Sequence, residues 1–309
     1  MNCEELLRRI AALKKGRKAV ILAHNYELGE IQDAADFCGD SLELSRKAAE
    51  LDNPVLVFCG VRFMAETAKI LSPEKTVLIP RFEATCDMAE MLNGEQLRAL
   101  KAQHPGCLTV CYVNTSAEVK AECDLCVTSG NALRIIAALP QDREILFVPD
   151  CNLGRYCAEV TGRKMIFFDG CCPVHHRLTP DMVARKRAEY PGAPVLIHPE
   201  APAETRKACD AALSTAGILD YVRESDQSTF IIATEIGILH RLEKKNPSKR
   251  FIPLSPEAVC PWMKMIRLED LLRTLETNSV EIQLDETLRR RAEAPIRSML
   301  TFFSGGKRK

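Results

Sequence analysis

The sequence predicts an α/β fold built from three similar domains, each with a parallel sheet covered on both faces. Three observations carry this reading. Apolar runs of strand length alternate with helical stretches, nine such runs are present, and the polar residues at their ends recur at a nearly constant offset. At 309 residues and 46% hydrophobic, the chain is long for a single core and fits two or three domains.

In order, the runs are "AVILAHNY" (19–26), "PVLVFCG" (54–60), "TVLIP" (76–80), "CLTVCYVNT" (107–115), "REILFVPD" (143–150), "KMIFF" (164–168), "PVLIHPE" (194–200), "TFIIATE" (229–235) and "RFIPL" (250–254). Each is rich in Val, Ile, Leu or Phe without polar alternation, as strands buried on both faces are. Grouped in threes, they reveal the offset. The first run of each set ends in a polar side chain at His24, Tyr112 and His198, separated by 88 and 86 residues. A Ser-containing turn into a helix follows in "GDSLELS", "TSGNALR" and "LSTAGIL", with Ser41, Ser129 and Ser214 separated by 88 and 85. A cysteine follows each third run, at Cys86, Cys172 and Cys260, separated by 86 and 88. Cys171 would give 85 and 89, and it lacks the following proline that Cys172 shares with Cys260, so Cys172 is the repeat position. The expected domains are 1–86, 87–172 and 173–260, with 261–309 packed on the first.

Open parallel sheets place functional groups beyond the carboxyl ends of their strands. Three domains around a pseudo-threefold axis would therefore bring the three thiols to one point. Three thiolates without a fourth cysteine suit an iron-sulfur cluster better than structural zinc, which closes its shell with four protein ligands. A 4Fe-4S cluster held this way leaves one iron open as a Lewis acid. "CDLC" at 123–126 has metal-ligand spacing but no second pair, and it runs into a buried-looking strand, "LCVTSGNA". Cys3, Cys38, Cys59, Cys107, Cys111, Cys151 and Cys157 read as ordinary thiols.

Around that point, "AHNYE" offers His24, Asn25 and Tyr26, "YVNT" offers Tyr112 and Asn114, and "IHPE" offers His198 and Glu200. Histidine is a proton carrier near neutral pH, and tyrosine and glutamate act as acid or base in a pocket that shifts them. Ser41, Ser129 and Thr215, beside Ser214, stand at helix starts, which bind carboxylate or phosphate; a simple helix cap is the plainer alternative for each. His175 is within reach of Cys172, whereas His176 is read as surface. Trp262 is expected to pack beneath Cys260, and the terminal "SGGKRK" to be a frayed tail.

Forty-two basic residues balance forty-two acidic ones, which excludes a global field for nucleic acid or an anionic membrane. "MNCEELLRRI" carries acids where a signal peptide is basic, and no run reaches the roughly 18 apolar residues of a spanning helix, so the chain is read as soluble and cytoplasmic. Fourteen cysteines in such a setting are thiols or metal ligands rather than a disulfide framework.

From "ILAHNY" and "GDSLELS" through "VRFMAETAKIL", "ATCDMA", "YVNT", "TSGNA", "PDCNLG", "CPVH", "HPE" and "ATEIG" to "VCPWM", the chain resembles the quinolinate synthase family over nearly its whole length. The resemblance implies three three-layer α/β/α domains around a central active-site cavity and a 4Fe-4S cluster on Cys86, Cys172 and Cys260. It implies condensation of iminoaspartate with dihydroxyacetone phosphate to quinolinate, the pyridine precursor of NAD, with loss of phosphate and two waters. L-aspartate oxidase or aspartate dehydrogenase would be the coupled source of iminoaspartate. Tyr26, Tyr112 and Glu200 match its acid/base positions, and His24, Ser41, Asn114, Ser129, His175, His198 and Thr215 match positions that hold substrate. The family's G-S-T stretch reads "LST", so the backbone at Ser214 and Thr215 is expected to differ. "CPWM" lacks a nearby second cysteine, against a regulatory C-x-x-C disulfide. The rival readings are an aconitase-like hydro-lyase, a non-enzymatic iron-sulfur sensor and a zinc hydrolase.

Overall fold

In the computed structural model, which describes residues 2–302, twelve strands form three separate four-stranded sheets, all parallel. The first sheet holds β1 (Ala19–His24), β2 (Phe37–Gly39), β3 (Val55–Cys59) and β4 (Thr76–Leu78). The second holds β5 (Leu108–Tyr112), β6 (Leu125–Val127), β7 (Ile145–Val148) and β8 (Met165–Phe167). The third holds β9 (Val195–Ile197), β10 (Ala211–Ala212), β11 (Thr229–Ala233) and β12 (Arg250–Pro253). Each sheet has the same order, second–first–third–fourth, and helices flank all three. Three α/β/α domains are therefore present, as the repeat required.

The expected nine strands are all found, and three are added. β2, β6 and β10 are two or three residues long, and each pairs in parallel with the first strand of its sheet. Only β6 falls on a stretch that read as strand-like. "FCG" and "AA" carry no run of branched residues, so backbone pairing with a neighbour, not local preference, makes them strands. Their position has a consequence for function. The chain leaves the first strand toward one side of the sheet and then crosses to the other, and such switch points open a crevice at the strands' carboxyl ends.

Burial explains the apolar runs. Every residue of β1 and of β7 is buried. Helices are capped by the chain itself: Asp40 and Glu43 form a reciprocal capping box at the start of Ser41–Glu50, and the Asp150 carboxylate accepts the N–H groups of Asn152 at 2.8 Å and Leu153 at 3.2 Å. Helix Cys151–Thr161 ends on Gly162 at φ 70°, a conformation that costs a residue with a side chain. Beyond the third sheet, helix Leu268–Thr277 packs on Cys3–Arg17 of the first domain, and helix Glu286–Thr301 packs on Arg62–Leu71, Ala117–Lys120 and β6. The tail "SGGKRK" lies outside the described residues. Among the described residues, no helix is long and apolar enough to cross a membrane.

Candidate active site

The carboxyl ends of the three sheets face one shared cavity. Thirteen of the side chains singled out from the sequence line it: His24, Tyr26, Ser41, Cys86, Tyr112, Asn114, Ser129, Cys172, His175, His198, Glu200, Thr215 and Cys260; Asn25, offered beside them, does not, and its buried amide donates to Thr215 Oγ1 at 3.3 Å instead. Their placement follows the repeat. His24 and Tyr112 end β1 and β5, and His198 directly follows β9; Tyr26, Asn114 and Glu200 each come two residues later. Ser41, Ser129 and Ser214 each stand two residues past β2, β6 and β10. Of the adjacent pair in the third domain, Ser214 is a cap whose Oγ accepts the Gly217 N–H at 3.1 Å, and Thr215 faces the cavity. Leu213 extends the sheet by donating its N–H to the Ile197 carbonyl at 2.8 Å.

A hydrogen-bonded chain crosses all three domains. The Tyr26 hydroxyl meets Thr234 Oγ1 at 2.5 Å, Thr234 Oγ1 meets His175 Nε2 at 2.7 Å, and His175 Nδ1 lies 2.8 Å from Glu200 Oε2. Glu200 Oε1 in turn accepts the Tyr112 hydroxyl at 2.6 Å. To one side, His198 Nε2 is 3.2 Å from Ser129 Oγ. Two backbone donors set tautomers: the Tyr26 N–H reaches His24 Nδ1 at 3.2 Å and the Glu200 N–H reaches His198 Nδ1 at 3.4 Å. A neutral imidazole that accepts at Nδ1 carries its proton on Nε2, so both rings are donors toward their surroundings.

Burial sets the charge states. It pushes His24 and His198 down to about 3, so both are neutral near pH 7. It pushes the Tyr26 and Tyr112 phenols well above their ordinary range, helped by the charge of Glu200, so both stay protonated. For Glu200, burial opposes ionisation, but the imidazoles of His198 and His175 and the Tyr112 hydroxyl offset it and hold the carboxyl below the usual carboxylate range. The cavity thus sets the Glu200 carboxylate among protonated donors. Val61, Phe63, Met64, Val174 and Met263 supply apolar wall, which lowers the local dielectric and strengthens these interactions. Asn114 Oδ1 is buried without a hydrogen-bond partner among the described residues, an acceptor that a bound molecule would meet.

The three cysteines come one from each domain's fourth-strand loop, and each opens a short helical turn: Asp87–Glu90 after Cys86, Pro173–His176 after Cys172, and Trp262–Lys264 after Cys260. Burial raises all three thiols, while backbone N–H groups of the following turns face their sulfurs and work the other way: Ala89 and Met88 at Cys86, His175 at Cys172, Met263 and Trp262 at Cys260. Convergent thiols with N–H donors aimed at sulfur suit a soft metal centre. Cys172, His175 and Glu200 also form a compact group able to hold a metal ion. Cys171 does not line the cavity. His176 is exposed, and Trp262 does more than pack, since its ring N–H donates to Asp87 at 2.8 Å and ties the Cys260 turn to the Cys86 turn. Cys111, Cys123 and Cys126 are buried within the second domain's core, with Cys111 and Cys126 sulfurs 3.3 Å apart on paired strands.

Sequence reading missed Thr234, Asp40, Glu235 and Lys264. Thr234 is the first residue past β11 and joins Tyr26 to His175. Asp40 lines the cavity as the cap of Ser41–Glu50, and burial raises its carboxyl to about 6. Glu235 accepts the Cys260 N–H at 3.1 Å and the Gly237 N–H at 2.7 Å, and pairs with Lys264 at 2.8 Å; Lys264 also donates to the Tyr26 carbonyl. That pair fixes the Cys260 turn against the Tyr26 turn. A side chain at Gly237 would put its Cβ 2.5 Å from the Tyr26 oxygen, so glycine is needed for this approach. Position at the end of the third strand was the available signal for Thr234 and Glu235.

Three α/β/α domains that gather thiols, neutral imidazoles and a buried carboxylate into one cavity define an enzyme, with a donor group able to hold a metal. The profile of the quinolinate synthetase A protein family matches residues 8–301. Quinolinate synthases of Dehalococcoides mccartyi strain 195 and Methanoregula boonei are each 51% identical to the chain, over 97% of it and 99% of the relative in the first case and 96% and 97% in the second. That of Thermus thermophilus is 46% identical over 97% of the chain and 98% of the relative. The chain belongs to the quinolinate synthetase A protein family.

Proposed function

We propose that the chain is a quinolinate synthase of NAD biosynthesis, condensing iminoaspartate with dihydroxyacetone phosphate to quinolinate with release of phosphate and two waters. The observation that carries the reading is the chain Tyr26–Thr234–His175–Glu200–Tyr112, drawn from three domains and set beside three thiols. Glu200, ionised and buried, accepts a proton from the substrate, and the Tyr112 hydroxyl on Oε1 holds its charge until then. Tyr26, kept protonated, donates to a departing hydroxyl. The Nε2–H groups of His24 and His198, with Ser41, Asn114, Ser129 and Thr215, hold carboxylate, phosphate and hydroxyl groups. His175 orients Glu200 and closes the chain to Thr234.

Cys86, Cys172 and Cys260 would hold a 4Fe-4S cluster, which when bound supplies an iron without a protein ligand as a Lewis acid. Iminoaspartate hydrolyses readily, so the apolar wall of Val61, Phe63, Met64, Val174 and Met263 would serve by limiting its contact with water. Free iminoaspartate must come from an aspartate-oxidising enzyme, L-aspartate oxidase or aspartate dehydrogenase, and fourteen free thiols favour a reducing, cytoplasmic setting.

The test is anaerobic purification, visible absorption with iron and sulfide analysis, and assay of quinolinate and phosphate from freshly generated iminoaspartate and dihydroxyacetone phosphate. Brown protein with about four irons that forms both products supports the reading. Brown protein that releases no phosphate points to the hydro-lyase or the sensor. Colourless protein after reconstitution overturns the three-thiol assignment.

A further inference from the structure

The thiol of Cys172 belongs to two donor sets at once. One is the trio of cysteines. The other is local: Cys172 Sγ is 3.2 Å from His175 Nδ1, which is 2.8 Å from Glu200 Oε2, and one ligand atom from each of these three residues falls within 4.8 Å of the others. We propose that in the cluster-free chain Cys172, His175 and Glu200 form a binding site for a single borderline-soft divalent cation of the zinc class, mutually exclusive with anything bound on the three cysteines.

The geometry is close to what such an ion needs. With Zn–S of about 2.3 Å and Zn–N and Zn–O of about 2.0–2.2 Å, a tetrahedral site has S···N and N···O edges of about 3.5 and about 3.4 Å. The observed separations of 3.2 and 2.8 Å widen to those values by small side-chain rotations. The donor set is also right in kind: a thiolate and a carboxylate neutralise a dication, with imidazole as third ligand. On binding, the Cys172 thiol releases its proton to solvent and the sulfur lone pair takes the metal. The fourth position opens on the cavity.

Supporting contacts of the kind that orient metal ligands are already built. In the metal-free chain the His175 Nδ1–H donates to Glu200 Oε2 at 2.8 Å; when the ion displaces that proton, the ring proton is carried on Nε2, where Thr234 Oγ1 at 2.7 Å accepts it, and the Nδ1 lone pair is left for the metal. Glu200 Oε1 is held by the Tyr112 hydroxyl at 2.6 Å, which leaves Oε2 for the ion. His175 and Glu200 are buried, so neither must be ordered on binding. None of these features involves Cys86 or Cys260. The two sets can therefore be told apart.

The experiment titrates the cluster-free full-length chain anaerobically with Zn²⁺ against a chromophoric chelator, and with Co²⁺ followed by visible and near-ultraviolet absorption. The expected result is one ion per chain, a thiolate-to-cobalt charge-transfer band and tetrahedral ligand-field bands. Cys172→Ala, His175→Ala and Glu200→Gln each weaken binding by at least about tenfold, and Thr234→Val weakens it by about tenfold through the histidine. Cys86→Ala and Cys260→Ala bind within about twofold of the unsubstituted chain, and one equivalent of Zn²⁺ slows iron-sulfur reconstitution of the unsubstituted chain. The proposal is overturned if Cys86→Ala or Cys260→Ala weakens binding as much as Cys172→Ala, since the ion would then sit on the three thiols. It is equally overturned if His175→Ala and Glu200→Gln bind normally, or if no stoichiometric binding occurs. Either failure leaves the proposed synthase reaction standing, because that is read by product formation in the loaded enzyme.

Discussion

Replacing Thr234 by valine removes one oxygen from the centre of the cavity's hydrogen-bonded chain while keeping the side chain's shape and branching. Thr234 Oγ1 serves the Tyr26 hydroxyl at 2.5 Å and His175 Nε2 at 2.7 Å, and both of those residues are buried. Among the described residues neither the Tyr26 hydroxyl nor His175 Nε2 has a further hydrogen-bond partner, so the substitution leaves two orphaned polar groups rather than one exchanged contact. A buried polar group left unpaired costs about 1–3 kcal/mol, so with two orphaned groups the variant loses about 2–6 kcal/mol. Urea denaturation of the cluster-free chain measures this as a lower midpoint at unchanged slope. In the loaded enzyme the freed Tyr26 hydroxyl drifts from its working position, and a displacement of about 1 Å lowers kcat by about 100-fold. Thr234→Ser, which keeps the oxygen, restores most of both. A valine variant within about 0.5 kcal/mol of the unsubstituted chain, with unchanged kcat, would refute the claim that Thr234 organises Tyr26 and His175.

Three further outcomes are expected. Cys172→Ala loses the iron-sulfur chromophore after reconstitution while Cys171→Ala keeps it, because only Cys172 lines the cavity; normal iron content in the Cys172 variant sinks the register assignment. Tyr26→Phe keeps the chromophore and the fold but loses turnover, and full activity in that variant removes Tyr26 from the chemistry. Asp40 binds its proton more tightly folded, at about 6, than unfolded, at 3.8, so its stabilising contribution is complete below 3.8 and is lost as pH rises through about 6. The loss is about 3 kcal/mol at most, and in the cluster-free chain Asp40→Asn should flatten that part of the urea-midpoint profile between pH 4 and 7; a profile identical to the unsubstituted chain's would exclude Asp40 as its source.

What was legible from sequence was whatever the repeat wrote three times. His24, Tyr112 and His198 declare their shared position because each ends or follows an apolar run, and Cys86, Cys172 and Cys260 do so by their spacing from such runs. That Cys172 rather than Cys171 lines the cavity was readable from that spacing and a following proline. Residues present in one domain alone stayed silent. The positions matching Thr234, first past the third strand, are Gly60 and Pro149, so no periodic signal marks it. Asp40 corresponds to Thr128 and Leu213, and Lys264 lies beyond the last repeated cysteine.

The sequence by itself determined the strands that are continuous apolar runs, the threefold repeat and the residues at the strands' carboxyl ends, because burial on both faces and the turn into the next helix are local properties of a few consecutive residues. Only the tertiary structure decided that "FCG" and "AA" are strands, that Tyr26 meets Thr234 across 208 residues of chain and Tyr112 meets Glu200 across 88, and which charge each buried group carries. Those outcomes depend on how the three sheets bring their carboxyl ends together. Desolvation and hydrogen-bond partners come from that junction, and no single segment contains it.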